Sequence, residues 1–195
     1  MDIPERKDLR GANLIGTNFQ GANFEQADFA GANLQEANLR GANLFYANLT
    51  EANLRGANLQ EVNFEKANLQ GADFQEAKLE GANLQGADLI EANFEGANLQ
   101  MANLQLANLQ GAELYEAELQ MANLQGADLE RAHLKRANLK QANLQGANLK
   151  GTHHLTIDQL SKLKTLYDTK LDEELLIPLK EKYPALFKKP DSDNQ

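Results

Sequence analysis

The residues best equipped for chemistry are few. Imidazole is a good zinc ligand, and the chain carries three histidines, His133, His153 and His154. Adjacent His153 and His154 would point to opposite faces of an extended segment, and no fourth ligand accompanies them. They read as a polar stretch. There is no cysteine, and the only serines are Ser161 and Ser192. No nucleophile stands beside a base. The carboxylates are numerous but spread along the chain, where burial would not tune their pKa values. The 14 glycines recur at one position of a repeat instead of gathering into a phosphate-binding loop. No cofactor, no metal and no enzymatic activity are expected.

The elements that would position these side chains are set by the repeat. From Leu9 to Leu149 every fifth residue is Leu or Phe, giving 29 consecutive units. Phe stands at positions 19, 24, 29, 64, 74 and 94. Two residues before each lies Ala, with Lys7, Thr17 and Val62 the exceptions, and the residue between is Asn in 20 of the 29 units. All 14 glycines lie two residues after the Leu or Phe. A period of five fits neither a helix nor a flat strand, so the chain must turn once per unit.

Each slot has a physical role. Ala and Leu, two apart, share one face of an extended segment. Leu or Phe fills the interior, Ala sits where backbones crowd, and Asn points outward. Gly tolerates the positive φ of a corner. A repeated segment and corner wrap the chain around an axis, and one coil cannot bury its apolar ring without neighbours above and below. If four units close one coil, Phe74 and Phe94 lie one above the other.

Ala32-Asn33-Leu34-Gln35-Glu36 and Ala97-Asn98-Leu99-Gln100-Met101 resemble the motif of the pentapeptide-repeat family. The resemblance implies an all-β solenoid, a right-handed quadrilateral β-helix with one unit on each of its four sides. The 29 units would make about seven coils and a shaft roughly 34 Å tall. The expected organisation is a lead-in over 1–6, the β-helix over 7–151, a helical C-terminal cap over 152–187 and a disordered tail over 188–195. Thr156 with Gln159 forms a capping box, followed by an apolar stripe of Ile157, Leu160, Leu163, Leu166 and Tyr167. A second helix is expected after Asp172, kinked or delayed by Pro178. Tyr183-Pro184-Ala185-Leu186-Phe187 reads as a final anchor, and this tail resembles that of many cyanobacterial members of the family.

Function then lies on the outer faces. The net charge of −9 repels nucleic acid and anionic membrane and favours a basic partner. The N-terminus carries no signal-like apolar run, so a cytoplasmic location is expected. Four sides can be drawn, beginning with those of Leu9, Leu14, Phe19 and Phe24. The first two together carry 13 acids against six bases. The fourth is nearly neutral, with an Asn column at 23, 43, 63, 83, 103, 123 and 143, and a Gln column at 85, 105, 125 and 145. Such amides can bond along the stack. Phe45, Tyr46, Met101, Leu106 and Met121 lie on or beside that side and are candidate partner-binding residues. The expected function is a protein-interaction scaffold, with self-association through a shaft end or the fourth side also open. The alternative comes from the family resemblance: a DNA-mimicking inhibitor of a type II topoisomerase such as gyrase, acting through an acidic face of Asp73, Glu76, Glu95, Glu113 and Glu116.

Overall fold

The computed structural model describes residues 7–190. The expected lead-in 1–6 and the last five residues of the expected disordered tail lie outside the described residues. The middle residue of each unit pairs in parallel with its counterpart four units on, from Asp8 with Asp28 to His133 with His153. Four five-residue units therefore make one coil, and the coils stack into a β-helical solenoid. Pairing consists of single-residue bridges at the middle of each unit, because the chain turns again before a longer strand can form.

One unit shows why the motif folds this way. In Ala82-Asn83-Leu84-Gln85-Gly86 all five backbone N–H groups find partners. Ala82 donates across the corner to Leu79 O at 3.0 Å, and Asn83 donates to Val62 O of the preceding coil at 2.9 Å. Leu84 and Gly86 donate to Asn103 O and Gln105 O of the following coil at 2.7 and 2.9 Å. The remaining N–H, of Gln85, reaches Asn83 Oδ1 at 3.3 Å. Asn or Asp has the length to accept this bond, and Asp73 does so for Gln75 at 3.0 Å. Where Lys78, Glu113, Glu118 or His133 occupies the slot, no such bond forms among the described residues.

The interior is the Leu and Phe stack. Leu34, Leu84 and Leu99 are fully buried, as are the Ala side chains beside them. The rings of Phe74 and Phe94 stack at 4.7 Å with an interplanar angle of 2°. At each corner φ lies between +55° and +67°. Gly126 needs its missing Cβ twice over, since φ is +66° and a Cβ would stand 2.8 Å from Leu106 Cδ2.

The closing segment departs from the sequence expectation. α1 covers only Ile157–Leu160, with the Thr156 and Gln159 capping box in place. The expected stripe does not continue as helix through Leu163, Leu166 and Tyr167. The last coil presents open ladder groups on its fourth and first sides, and a longer helix would leave them bare. Extended chain meets them instead: Gln141 N donates to Lys162 O at 2.8 Å and Lys164 N to Ala142 O at 3.0 Å. Thr165 pairs with Asn143 and Lys170 with Asn148, a longer offset than any within the shaft. This places Leu166 and Leu171 in the inward slots, buried to 0% and 5% exposure. On the third side α1 takes over, and Gln159 Nε2 donates to Leu134 O at 2.8 Å and Ala137 O at 2.9 Å.

α2 spans Glu173–Lys182 and buries Leu179. Pro178 neither delays its start nor ends it. A 3-10 turn over Pro184–Phe187 follows, and Leu186 O accepts from Leu166 N at 2.7 Å. The expected anchor thus folds back over the added coil.

Candidate interaction surface

The fourth side is the most uniform surface of the shaft. Its Asn column forms a continuous amide ladder, each Nδ2 donating to Oδ1 of the preceding coil at 3.0–3.3 Å from Asn43 to Asn143. The Gln column does not form a matching ladder. Among the described residues its one side-chain bond to the Asn column runs from Asn103 Nδ2 to Gln85 Oε1 at 3.3 Å. Glu25 and Glu65 mark the N-terminal half, whereas the units 82–86, 102–106, 122–126 and 142–146 carry no charge.

Large apolar side chains flank that uncharged stretch. Met101 and Met121 occupy stacked corners on one edge, exposed to 53% and 63%, and Leu106 stands on the other edge at 62%. All three have φ between +57° and +59°, a conformation that costs a side-chain-bearing residue about 1–2 kcal/mol. The corners obey a stacking rule. A corner side chain leans toward the following coil, so that Glu36 Cγ would lie 3.6 Å from a Cβ at Gly56, and Lys66 Cγ the same from one at Gly86. These are ordinary contact distances, so a side chain at the following corner meets the one before it. Glu116 is followed by Arg136, paired at 2.8 Å, and Tyr46 by Lys66, whose Nζ lies 5.4 Å from the ring centroid. Met101 is followed by Met121, an apolar pair open to solvent.

Phe45 and Tyr46 form a separate spot three coils away. Their rings meet edge to face at 4.5 Å, and Lys66 Nζ also lies 5.9 Å from Phe45. Phe45 is half-buried, so this cluster is largely satisfied within the chain. The sequence groups Phe45 and Tyr46 with Met101, Leu106 and Met121 as one candidate surface, whereas the structure sets them in two separate spots. Two exposed apolar residues escaped the sequence reading, Ile15 at 50% and Ile177 at 56%. Each stands alone, and a single outward apolar residue gives no periodic signal.

The acidic residues of the second side are interrupted by bases. Arg55 lies 3.5 Å from Asp73, and Arg136 Nη1 donates to Glu116 Oε1 at 2.8 Å and to Tyr115 Oη at 3.1 Å. The hydrogen bond from Arg136, aided by that from Tyr115, holds the Glu116 carboxyl below its usual range. His133 Nδ1 lies 3.5 Å from Glu113 Oε2, and Glu76 and Glu95 have no ion-pair partner among the described residues. The rings of His133 and His153 lie with centroids 4.4 Å apart, tilted by 56°. His154 turns away at φ +60°, and among the described residues no group of three His, Cys, Asp or Glu side chains is placed to hold a metal. No described helix is long and apolar enough to cross a membrane.

Fold and surface together define a β-helical solenoid of stacked five-residue units. A family model for pentapeptide repeats matches eight copies over residues 8–44, 47–86, 87–120 and 117–153. The chain belongs to the pentapeptide-repeat family. It is similar to HetL of the cyanobacterium Nostoc sp. strain PCC 7120, a pentapeptide-repeat protein involved in heterocyst differentiation regulation. The two are 34% identical over 84% of this chain and 78% of that one, with a TM-score of 0.52. Rfr23, from the cyanobacterium Cyanothece 51142, is 37% identical over 54% of this chain and 83% of its own, with a TM-score of 0.51. QnrB1, a plasmid-mediated fluoroquinolone resistance protein, in a trypsin-treated form, is 20% identical over 92% and 93%, with a TM-score of 0.46. No curated protein sequence matches the chain.

Proposed function

We propose that the chain is a non-catalytic scaffold of the cyanobacterial type, a right-handed quadrilateral β-helix that docks a cytoplasmic protein partner through its fourth side, with residues 152–187 capping the shaft. The observation that carries this reading is the set Met101, Leu106 and Met121. Each holds a large apolar group in solvent at a corner where Gly would be free of backbone cost, and together they border four uncharged units. An apolar patch rimmed by neutral amides suits a protein interface. A regulatory role for HetL is in keeping with action through partners.

Replacing Met101, Leu106 and Met121 by Glu tests the reading. These side chains are outward, so melting temperature should hold within a few degrees while capture of the host partner is lost. Retained capture by this triple variant would reject the fourth side.

DNA mimicry through Asp73, Glu76, Glu95, Glu113 and Glu116 has weaker support. Duplex DNA carries one charge per ~1.7 Å of axis, whereas the first two sides net seven negative charges over roughly 34 Å, with Arg55 and Arg136 set among them. No inhibition of gyrase supercoiling is expected at micromolar protein and physiological salt. Potent inhibition, abolished by charge reversal at Asp73, Glu76, Glu113 and Glu116, would replace the scaffold reading by the mimic.

A further inference from the structure

The two ends of the shaft finish differently. Within the stack, each middle residue donates its N–H to an Ala carbonyl of the preceding coil and accepts from a Leu N–H of that same coil, as Asn103 does with Ala82 and Leu84. At the C-terminal end most of the corresponding groups are covered, the N–H groups of Leu139 and Leu144 alone among the ladder leucines having no partner among the described residues. Lys162, Lys164, Tyr167 and Lys170 bond to the last coil on the fourth and first sides, and Gln159 takes Ala137 O. At the N-terminal end the N–H groups of Asn13, Asn18 and Asn23, and the carbonyls of Asn13 and Asn18, have no partner among the described residues. The carbonyl of Asn23 alone is taken, by Lys7 Nζ at 2.6 Å.

The apolar column is open at the same end. Leu9, Leu14 and Phe19 are only half-buried, whereas Phe29, Leu34 and Leu39 one coil later are fully closed to solvent. Phe19 and Phe24 meet edge to face at 5.0 Å, and Lys7 Nζ stands 4.8 Å from the Phe24 centroid. An unpaired sheet edge over an open apolar plug is a template for another chain.

We propose that this end is a self-association surface, where two copies meet N-terminal coil to N-terminal coil about a two-fold axis perpendicular to the shaft. The surface is separate from the fourth side and does not rest on the scaffold reading. Three features favour a second copy. Beyond Asp8, which adjoins the lead-in, the middle residues with both N–H and C=O open are Asn13 and Asn18, on two adjoining sides, the second and the third, so the incoming chain must be extended, turn a corner within one unit and be extended again. The first coil of this same chain has that path. A perpendicular two-fold sets the paired segments antiparallel, an arrangement that backbone N–H and C=O groups satisfy directly. Charge at the rim is self-complementary, since Lys7 and Arg10 balance Asp8 and Glu25, and Arg10 is already paired with Asp8 at 2.7 Å. Lys7 blocks the fourth side and confines pairing to Asn13 and Asn18.

Two proline substitutions isolate the edge. Asn13→Pro with Asn18→Pro deletes two N–H groups that bond to no described residue in the single chain; the Asn18 oxygen that is also lost accepts from Gln20 N and Asn38 Nδ2 at 3.2 and 3.0 Å at exposed positions where water can replace it, so the shaft should stay folded. Sedimentation equilibrium should show a reversible wild-type dimer, weakened at least tenfold in the double variant with the melting temperature preserved. The chain has no cysteine, so single labels report orientation without reference to the proline variant. Spin labels on Ile15→Cys should lie close across the dimer, and those on Lys150→Cys far apart. Four results would overturn the proposal: a monomer at all concentrations up to millimolar; a dimer that folded proline variants leave intact; a dimer with short distances at Lys150→Cys; or a dimer formed only after deletion of residues 2–6, which would give the end to the lead-in.

Discussion

Residues 7–153 and residues 154–187 close the same kind of edge with different chemistry. In the first region one solution is repeated. Asn satisfies the stray N–H of its own unit, Leu fills the interior, and the corner carries Gly or a residue compatible with the corner below. In the second region each solution occurs once. Thr165 Oγ1 takes the part of the Asn amide, accepting from Tyr167 N at 3.0 Å, while Asp168 takes the positive-φ corner at +59°. Gln159 reaches the Ala137 carbonyl that a further coil would have paired, and Leu134 O beside it. The ladder therefore tolerates wide variation in its outward residues, and what both regions retain is the inward Leu.

That comparison orders the expected effects. Leu99→Asp should be the most damaging, because an unpaired carboxylate would be buried among stacked leucines. A loss of more than ~4 kcal/mol should appear as collapse of the whole circular-dichroism transition. Leu160→Asp should instead release the closing segment and leave the shaft folded. A single cooperative loss in both variants would show that the two regions are one unit.

Truncation after Gly151 should expose the last coil and promote association, read by light scattering. A truncated chain that scatters like the full one would remove the covering role of residues 152–187. Gln159→Leu should cost about 1–3 kcal/mol, since Ala137 O loses the donor that Gln159 supplies. Hydrogen exchange should localise the loss to the third side of the last coil.

Smaller effects test the corners. Gly126→Ala and Gly146→Ala both place a side chain at positive φ, +66° and +67°, for about 1 kcal/mol. Gly126→Ala should cost more, because Leu106 must move, whereas a Cβ at residue 146 meets nothing within 4 Å. Equal melting temperatures would mean that Leu106 swings away freely. Gln100→Asp, on the outer surface of the same unit as Leu99, should change stability by less than ~0.5 kcal/mol.

Most of the shaft was legible because its register repeats without error from Leu9 to Leu149. The Asn ladder and the Phe74–Phe94 stack follow from spacing once four units make a coil. The interaction surface was legible in part. Its residues could be assigned to a side, but the half-burial of Phe45 depends on contacts with Tyr46 and Lys66 that spacing does not determine. The closing segment was misread over Leu163, Leu166 and Tyr167, where helical spacing coincides with what the open edge demands of extended chain.

The repeat dictated a turn every five residues and the inward column before any contact was known, because a five-residue period leaves each slot one environment, and the family resemblance added the four sides. How the stack ends was settled only in three dimensions. Local propensity favours helix after Thr156, but the bare N–H and C=O groups of the last coil can be satisfied only by chain laid alongside them, and that requirement outweighs the helical pattern beyond Leu160.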